Sequence, residues 1–238
     1  MALLRQHVAR ARAGANEALL RGESGVVVCA RVSAGFDELV RALLDLAGVP
    51  DDVCVLATGG WGRHEMCPYS DIDVLFLTRQ APNAVVKTLA EKILYPLWDA
   101  KIEVGHAVRS LEDTLALVGD DLPTATALLD TRPLVGDAEL ARDLAEGLLT
   151  RLARPGDPNA FLERLVAEKQ ARHGRFGDSV YLLEPNLKHG EGGLRDLATA
   201  FWAAQVRWRA AALSDLLTQG QASLRQVAAL GDAREFLL

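Results

Sequence analysis

The chain has 238 residues, half of them hydrophobic and about a quarter charged, with a formal net charge of −6. That composition excludes wholesale disorder, a collagen-like repeat and a disulfide scaffold, and the length suits one large domain or two small ones. An acidic chain is poorly suited to non-specific nucleic-acid binding, which depends on Lys and Arg neutralising phosphates. Of its 26 basic residues, 21 are Arg, the planar donor that matches phosphate and carboxylate. Leu and Ala make up about a third of the chain, so helix should dominate.

Residues 1–21 read as an amphipathic basic helix that lacks the apolar core of a secretory signal. A second helix is expected over 34–47, with Ser33 as N-cap and Gly48 at its stop. Val53 to Thr58 is a short buried strand, broken by Gly59-Gly60-Trp61-Gly62. Ile72 to Thr78 forms a second strand, residues 83–98 an amphipathic helix, and 101–109 a third strand. After Ser110 the pattern is helical, at about 111–118, 122–130, 137–151, 158–173, 195–212 and 222–237. An irregular stretch, SVYLLEPNLKHGEGGLRD, interrupts the long helices. The expected class is α+β, with N-terminal helices over 1–48, a small α/β core over 49–120 and a helical domain over 121–238. That last domain is expected to be cut short, because Arg234-Glu235-Phe236-Leu237-Leu238 ends on apolar residues inside a helical pattern. No run of ~18 apolar residues is present to span a membrane. Cys29, Cys54 and Cys67 form no CxxC knuckle, and Cys29 and Cys54 sit in apolar, strand-like runs. A reducing, cytoplasmic setting fits them.

The chemistry concentrates at 58–77, TGGWGRHEMCPYSDIDVLFL. Two glycines end a strand, where backbone N–H groups can come close to phosphate oxygens. Asp71 and Asp73 stand at i and i+2, so period 2 puts both carboxylates on one face while Ile72 and Val74 face the core. Paired carboxylates repel unless a cation lies between them, and hard oxygen ligands suit Mg²⁺ alongside substrate phosphates. Ten residues, 61–70, separate Gly60 from Asp71, a loop long enough to bring both to one triphosphate. Taken singly, the glycines read as a turn and the aspartates as solvated edge charge. In this order and spacing they resemble the polymerase-β-like nucleotidyltransferases.

That resemblance implies a polymerase-β-like nucleotidyltransferase fold and two Mg²⁺ ions that position a nucleoside triphosphate and activate the attacking hydroxyl. A third carboxylate usually comes from a neighbouring strand. Glu103 is the candidate, on the face opposite Ile102 and Val104. Asp99 is the runner-up, and an ordinary exposed strand Glu is the plain alternative.

Four blocks narrow the resemblance further: GGWGRHEMCPYSDIDVLFL, LWDAKIEVGHAVRSLEDTLAL, DLPTATALLDTRPLVGD and YLLEPNLKHGEGGLRDLATAFWAA. In that order they resemble successive segments of the bacterial PII uridylyltransferases, across roughly residues 50–210. The resemblance implies transfer of UMP from UTP to a tyrosine of the nitrogen-regulatory protein PII, with release of diphosphate. Position by position it implies Gly59 and Gly60 against the UTP phosphates, Arg63 and Ser70 supporting the phosphate loop, and Asp71 and Asp73 as metal ligands. It also implies nucleotide contacts from Lys188, Gly193 and Arg195, beside Gly192 and Asp196. Gly192-Gly193 before a helix makes an N-terminus suited to anions, or simply a helix start. His106 and Arg109 match the family too, although a histidine on a strand is more often structural than a catalytic base.

Two loop residues depart from the family, which has Tyr and Gly where this chain has Trp61 and His64. Trp61 should keep the aromatic surface, and His64 should restrict the loop backbone. Family members continue into hydrolase and glutamine-sensing domains, so this chain should lack uridylyl removal and glutamine control. Transfer of another nucleotide, such as adenylylation of a protein, is the alternative activity. A decayed nucleotide-binding module is the non-enzymatic one, and retention of both glycines and both aspartates argues against it. No nucleic-acid or membrane partner is expected.

Overall fold

The structure is a computed structural model that describes residues 2–154, 157, 159–176 and 184–238. The chain divides into two units, Met1–Leu148 and Leu149–Leu238.

In the first unit, α1 (Ala2–Leu20) buries Leu4, Val8, Ala15 and Ala18 along one stripe at helical spacing. It lies against α2 (Gly25–Ala47), where Gly35 leaves room for Ala11 and its carbonyl lies 2.9 Å from His7 Nε2. Helix α2 starts nine residues before the expected 34. The β-branched run Val26-Val27-Val28 reads locally as strand, but Val28, Cys29, Val32, Phe36, Val40 and Leu44 make a buried helical stripe. Packing overrides propensity here. Ser33 is therefore no N-cap. It is buried inside α2, where its hydroxyl donates to Cys29 O at 2.9 Å and accepts from Met66 N at 3.3 Å.

A four-stranded sheet follows in the order β3-β2-β1-β4, with β1 Val53–Ala57, β2 Ile72–Thr78, β3 Val104–Ser110 and β4 Arg132–Gly136. Strand β1 runs antiparallel to β2 and β4, and β2 runs parallel to β3, so the sheet is mixed. This bears out the α+β class with flanking helices. Between β1 and β2 lies a one-turn helix, α3 (Gly59–Gly62). Helix α4 (Ala84–Asp99), capped by the Asn83 side chain on Val85 and Val86 N, makes the crossover to β3. One face of the sheet, with Val53, Val55, Ala57, Ile72, Val74 and Phe76, shares a core with α1, α2 and α4. On the other face Cys54, Leu56, Leu75 and Leu77 are buried as well. Burial pushes the Cys54 thiol up to about 11, so it is inert as a nucleophile at neutral pH.

Strand β4 falls between the helices expected at 122–130 and 137–151, in a half of the chain expected to hold no strand. Arg132-Pro133-Leu134-Val135-Gly136 is short, and its proline is tolerated because β4 is an edge. Gly136, at φ +106, presses against Val53 O, which leaves no space for a side chain. Helices α5 (Leu111–Leu117) and α6 (Leu122–Leu129) lead into β4, capped by Ser110 and Asp121.

Helix α7 (Ala138–Leu152) carries the chain into the second unit, whose remaining elements are all helical: α8 (Ala160–Phe176), α9 (Leu194–Trp208), α10 (Leu213–Thr218) and α11 (Leu224–Leu237). Ala204, Ala210 and Leu216 form a small core there. Part of the irregular stretch before α9, residues 179–183, lies outside the described residues.

Candidate active site

Strand β1 runs directly into the glycine segment. Thr58 N donates to Asp73 O at 3.0 Å, which ties the end of β1 to the start of β2. Gly59 has φ +59, a conformation that favours glycine, and the chain then makes the single turn of α3. The first N–H groups of a helix have no intrahelical acceptor, so those of Gly59, Gly60 and Trp61 are left for other partners. Gly62 is the steric requirement of the loop, since a Cβ there would overlap the Asp130 carbonyl.

Arg63 supports this loop from below. It donates to Glu65 Oε2 at 2.6 Å and pairs with Asp130, whose side chain is almost wholly buried. Burial works against its charge, but the Asp130 and Glu65 carboxylates outweigh it and hold the guanidinium above its ordinary range. Ser70 closes the far end of the loop in a small turn. Its Oγ accepts from Cys67 N at 3.1 Å, and its N–H donates to Cys67 O at 3.0 Å. From α1, Arg12 donates to Pro68 O at 2.8 Å and covers the Tyr69 ring at 4.9 Å.

Asp71 is exposed just before β2, and Asp73 is half-buried on it. In parallel register Asp73 stands opposite Gly105. A Cβ at Gly105 would overlap Asp73 Oδ1, and one at Gly59 would come 3.5 Å from Asp73 Oδ2. The carboxylate is thus lodged between two glycines. Glu103 is exposed and falls just outside β3, which begins at Val104 rather than at the expected 101. Its carbonyl accepts from Ile72 N at 3.0 Å, which sets it alongside Asp71. Among the described residues no three His, Cys, Asp or Glu side chains are gathered into a metal-holding group. The structure brings Gly59 and Gly105 against Asp73, with Gly60 next in the chain, and leaves Asp71 and Glu103 exposed.

Sequence reasoning missed the clamp beneath this site. Trp61 is not an aromatic surface: it is buried, and its Nε1 donates to Asp37 Oδ1 at 2.9 Å. Arg132 grips the same carboxylate with two bonds, Nη1 to Oδ2 at 2.7 Å and Nη2 to Oδ1 at 2.8 Å. It also donates to Gly62 O and Trp61 O, both at 3.3 Å. Helix α2, the glycine segment and β4 therefore share one buried ion pair. An Asp amid the apolar stripe of α2 was the available signal.

A cavity of about 190 Å³ opens beside Asp73 on the same sheet face. Gly105 and Ala107 line it from β3, Thr124 and Leu128 from α6, with Thr58 and Arg109.

The second unit holds the other group of expected residues. Lys188 is exposed, with its N–H bonded to the Asn186 side chain at 3.1 Å. Gly193 is the N-cap of α9, and a Cβ there would stand 2.6 Å from Leu187 O. The anion-ready N-terminus is already filled. Gly193, Leu194 and Arg195 N–H donate to Gly190, Leu187 and Lys188 carbonyls at 2.9–3.1 Å, and Gly192 N donates to Asp196 Oδ2 at 2.9 Å. Arg195 does not pair with its neighbour Asp196; its guanidinium lies 5.3 Å over the Trp202 ring. Asp196 instead takes Arg172 Nη2 at 2.8 Å and sits 3.0 Å from His173 Nε2. Burial raises its pKa, but the Arg172, Gly192 and His173 bonds outweigh that and hold it below the ordinary carboxylate range.

The family description "GlnD PII-uridylyltransferase" matches residues 160–238. Proteins named bifunctional uridylyltransferase/uridylyl-removing enzyme match far more of the chain. That of Bradyrhizobium sp. is 37% identical over 91% of this chain, that of Rhodospirillum rubrum 38% over 90%, and that of Nitrobacter hamburgensis 37% over 99%. The chain is a relative of the uridylyltransferase/uridylyl-removing enzymes. It spans about a quarter of their length, 24–26%. A toxin–antitoxin crystallised with AMP-PNP aligns with 57% of this chain and 93% of its own, at 16% identity and a TM-score of 0.32, too remote to inform fold or ligand. No helix among the described residues is long and apolar enough to cross a membrane.

Against the uridylyltransferase pattern, the departure at His64 is the one that carries strain. Its φ is +60, left-handed backbone that a side chain adopts at a cost of roughly 1–2 kcal/mol. Glycine removes that cost but gives back some unfolded-state entropy. His64→Gly should therefore stabilise the first unit by about 0.5–1 kcal/mol. Urea unfolding of both proteins checks this, and a destabilised variant would mean that His64 makes a contact worth more than its strain.

Proposed function

We propose that this chain transfers UMP from UTP to a tyrosine hydroxyl of the PII protein, releasing diphosphate. The observation that carries the reading is the Asp73 carboxylate lodged between Gly59 and Gly105, two residues from Asp71. Kinship to uridylyltransferases supports the choice of nucleotide and acceptor.

The donor set fits Mg²⁺, which is usually held by one or two carboxylates together with substrate phosphates and water. Asp71 and Asp73 would hold two such ions, with Glu103 the adjacent third carboxylate. When bound, they neutralise charge on the α-phosphate and lower the pKa of the attacking hydroxyl. The chain's own residues do the positioning. Gly59 and Gly60 present N–H groups to the β- and γ-phosphates, while Arg63 and Ser70 hold the loop in shape. The phenol oxygen attacks the α-phosphorus in line, the bond to the diphosphate oxygen breaks, and the phenolic proton passes to solvent. In the second unit Lys188 is exposed, Arg195 lies over the Trp202 ring, and Gly193 serves to seat its loop.

Incubation of PII with this protein, UTP and Mg²⁺ should add one uridylyl group per modified tyrosine by intact mass. Mass gained with ATP but not UTP would replace the nucleotide. UTP binding without any transfer would sink the reading.

The seat of Asp73 gives a sharper expectation. Gly105→Ala forces the carboxylate off its position, and misplacement of about 1 Å costs roughly a hundredfold in rate. Transfer should fall by about that factor while the thermal midpoint barely moves. Unchanged transfer would show that Asp73 can act from another rotamer.

A further inference from the structure

The cavity beside Asp73 contains a cation that the mechanism above leaves unused. Arg109 stands opposite Leu77 in parallel register. Alternation puts 105, 107 and 109 on the Asp73 face. Gly105 and Ala107 are small and give the cavity its floor. Arg109 lies at the far end, roughly 13 Å of strand from Gly105 at ~3.3 Å per residue. Its carbonyl accepts from Thr78 Oγ1 at 3.3 Å. Its guanidinium is half-buried and makes no ion pair or hydrogen bond among the described residues. Downstream, Glu112 is exposed and Asp113 accepts instead from Ser110 Oγ at 2.6 Å. A part-buried cation without a partner is costly unless a ligand supplies one.

The two ends of the cavity differ in chemistry. Phosphates belong at the glycine and aspartate end. The rest of the lining is Thr114 and Thr124, whose hydroxyls donate to Ser110 O and Asp121 Oδ2, and the apolar Ala127 and Leu128. That lining suits a flat, uncharged ring with polar edges better than a second anion. We infer that Arg109 reads the nucleobase, donating to the O4 carbonyl of uracil and rejecting cytosine, whose amino group at that place is itself a donor. Arg has donors only, so a donor facing it is left unpaired. Sites built on such a bond discriminate strongly against the analogue that lacks its acceptor. This rests on the UMP-transfer reading and names the residue behind its base choice.

The test compares UTP and CTP as donors by kcat/KM, and their equilibrium binding by calorimetry without acceptor protein. Arg109→Gln offers both a donor and an acceptor, so the UTP:CTP ratio should fall by roughly tenfold or more, mainly through KM for UTP. Arg109→Lys keeps a donor-only head and should retain most of the preference. The binding ratio should move in parallel, with the thermal midpoint unchanged. An unchanged ratio in Arg109→Gln, or an equal loss of kcat for both nucleotides, overturns base reading while UMP transfer stands. Absence of UMP transfer by the unmodified protein overturns both.

Discussion

Asp73→Asn should lower UMP transfer by roughly a thousandfold while leaving the fold intact. The substitution keeps the shape of the side chain and removes its charge. Asp73 sits between Gly59 and Gly105, and in the proposed transfer it would balance charge on the α-phosphate. Metal-assisted stabilisation of such charge is worth several kcal/mol, and each 1.36 kcal/mol is tenfold in rate. Asp71→Asn should also be slow, and the double variant no faster than the slower single one, because the two carboxylates act as a unit. An intact-mass time course on PII measures the rates, and thermal unfolding monitors the fold. A double variant with full activity would end the two-metal proposal.

Arg132→Ala should destabilise the protein by about 3 kcal/mol, the low end of the usual cost of breaking a buried pair, because Asp37 then still has Arg41, 3.8 Å away. Asp37 is almost fully buried and accepts two bonds from Arg132 and one from Trp61. Removing the guanidinium also releases Gly62 O and Trp61 O, so the glycine segment loosens with it. The double variant Asp37→Leu/Arg132→Met should recover much of the loss, because no buried charge then remains. It should stay short of the parent by about 1–3 kcal/mol, since Trp61 Nε1 keeps no acceptor. Urea unfolding followed by tryptophan fluorescence reads all three proteins. A single variant within about 1 kcal/mol of the parent would mean that water reaches and solvates Asp37.

Local pattern was enough for the catalytic segment. Strand β2 shows period 2, the glycine pair ends β1, and the Asp-x-Asp spacing places its carboxylates without reference to anything distant. The candidate groups Gly59, Gly60, Asp71 and Asp73 therefore lie within about fifteen consecutive residues. Features made by pairing distant segments were hidden. The N-terminal turns of α2 look like strand until α1 and the sheet bury their helical stripe. Strand β4 exists because the edge of β1 needs a partner, and five residues carrying a proline do not announce it. Asp37 and Arg132 are 95 residues apart, and neither alone signals an ion pair under the glycine loop. Gly105 reads as an ordinary strand glycine until the β2–β3 register sets it against Asp73. The length and charge with which the chain is first read keep their meaning, but the net −6 says nothing of where charge sits. Sequence alone determined which candidate glycines and carboxylates are present and in what order. Only the tertiary structure decided their seating and bracing, because contact energy and steric exclusion act between residues that the chain separates.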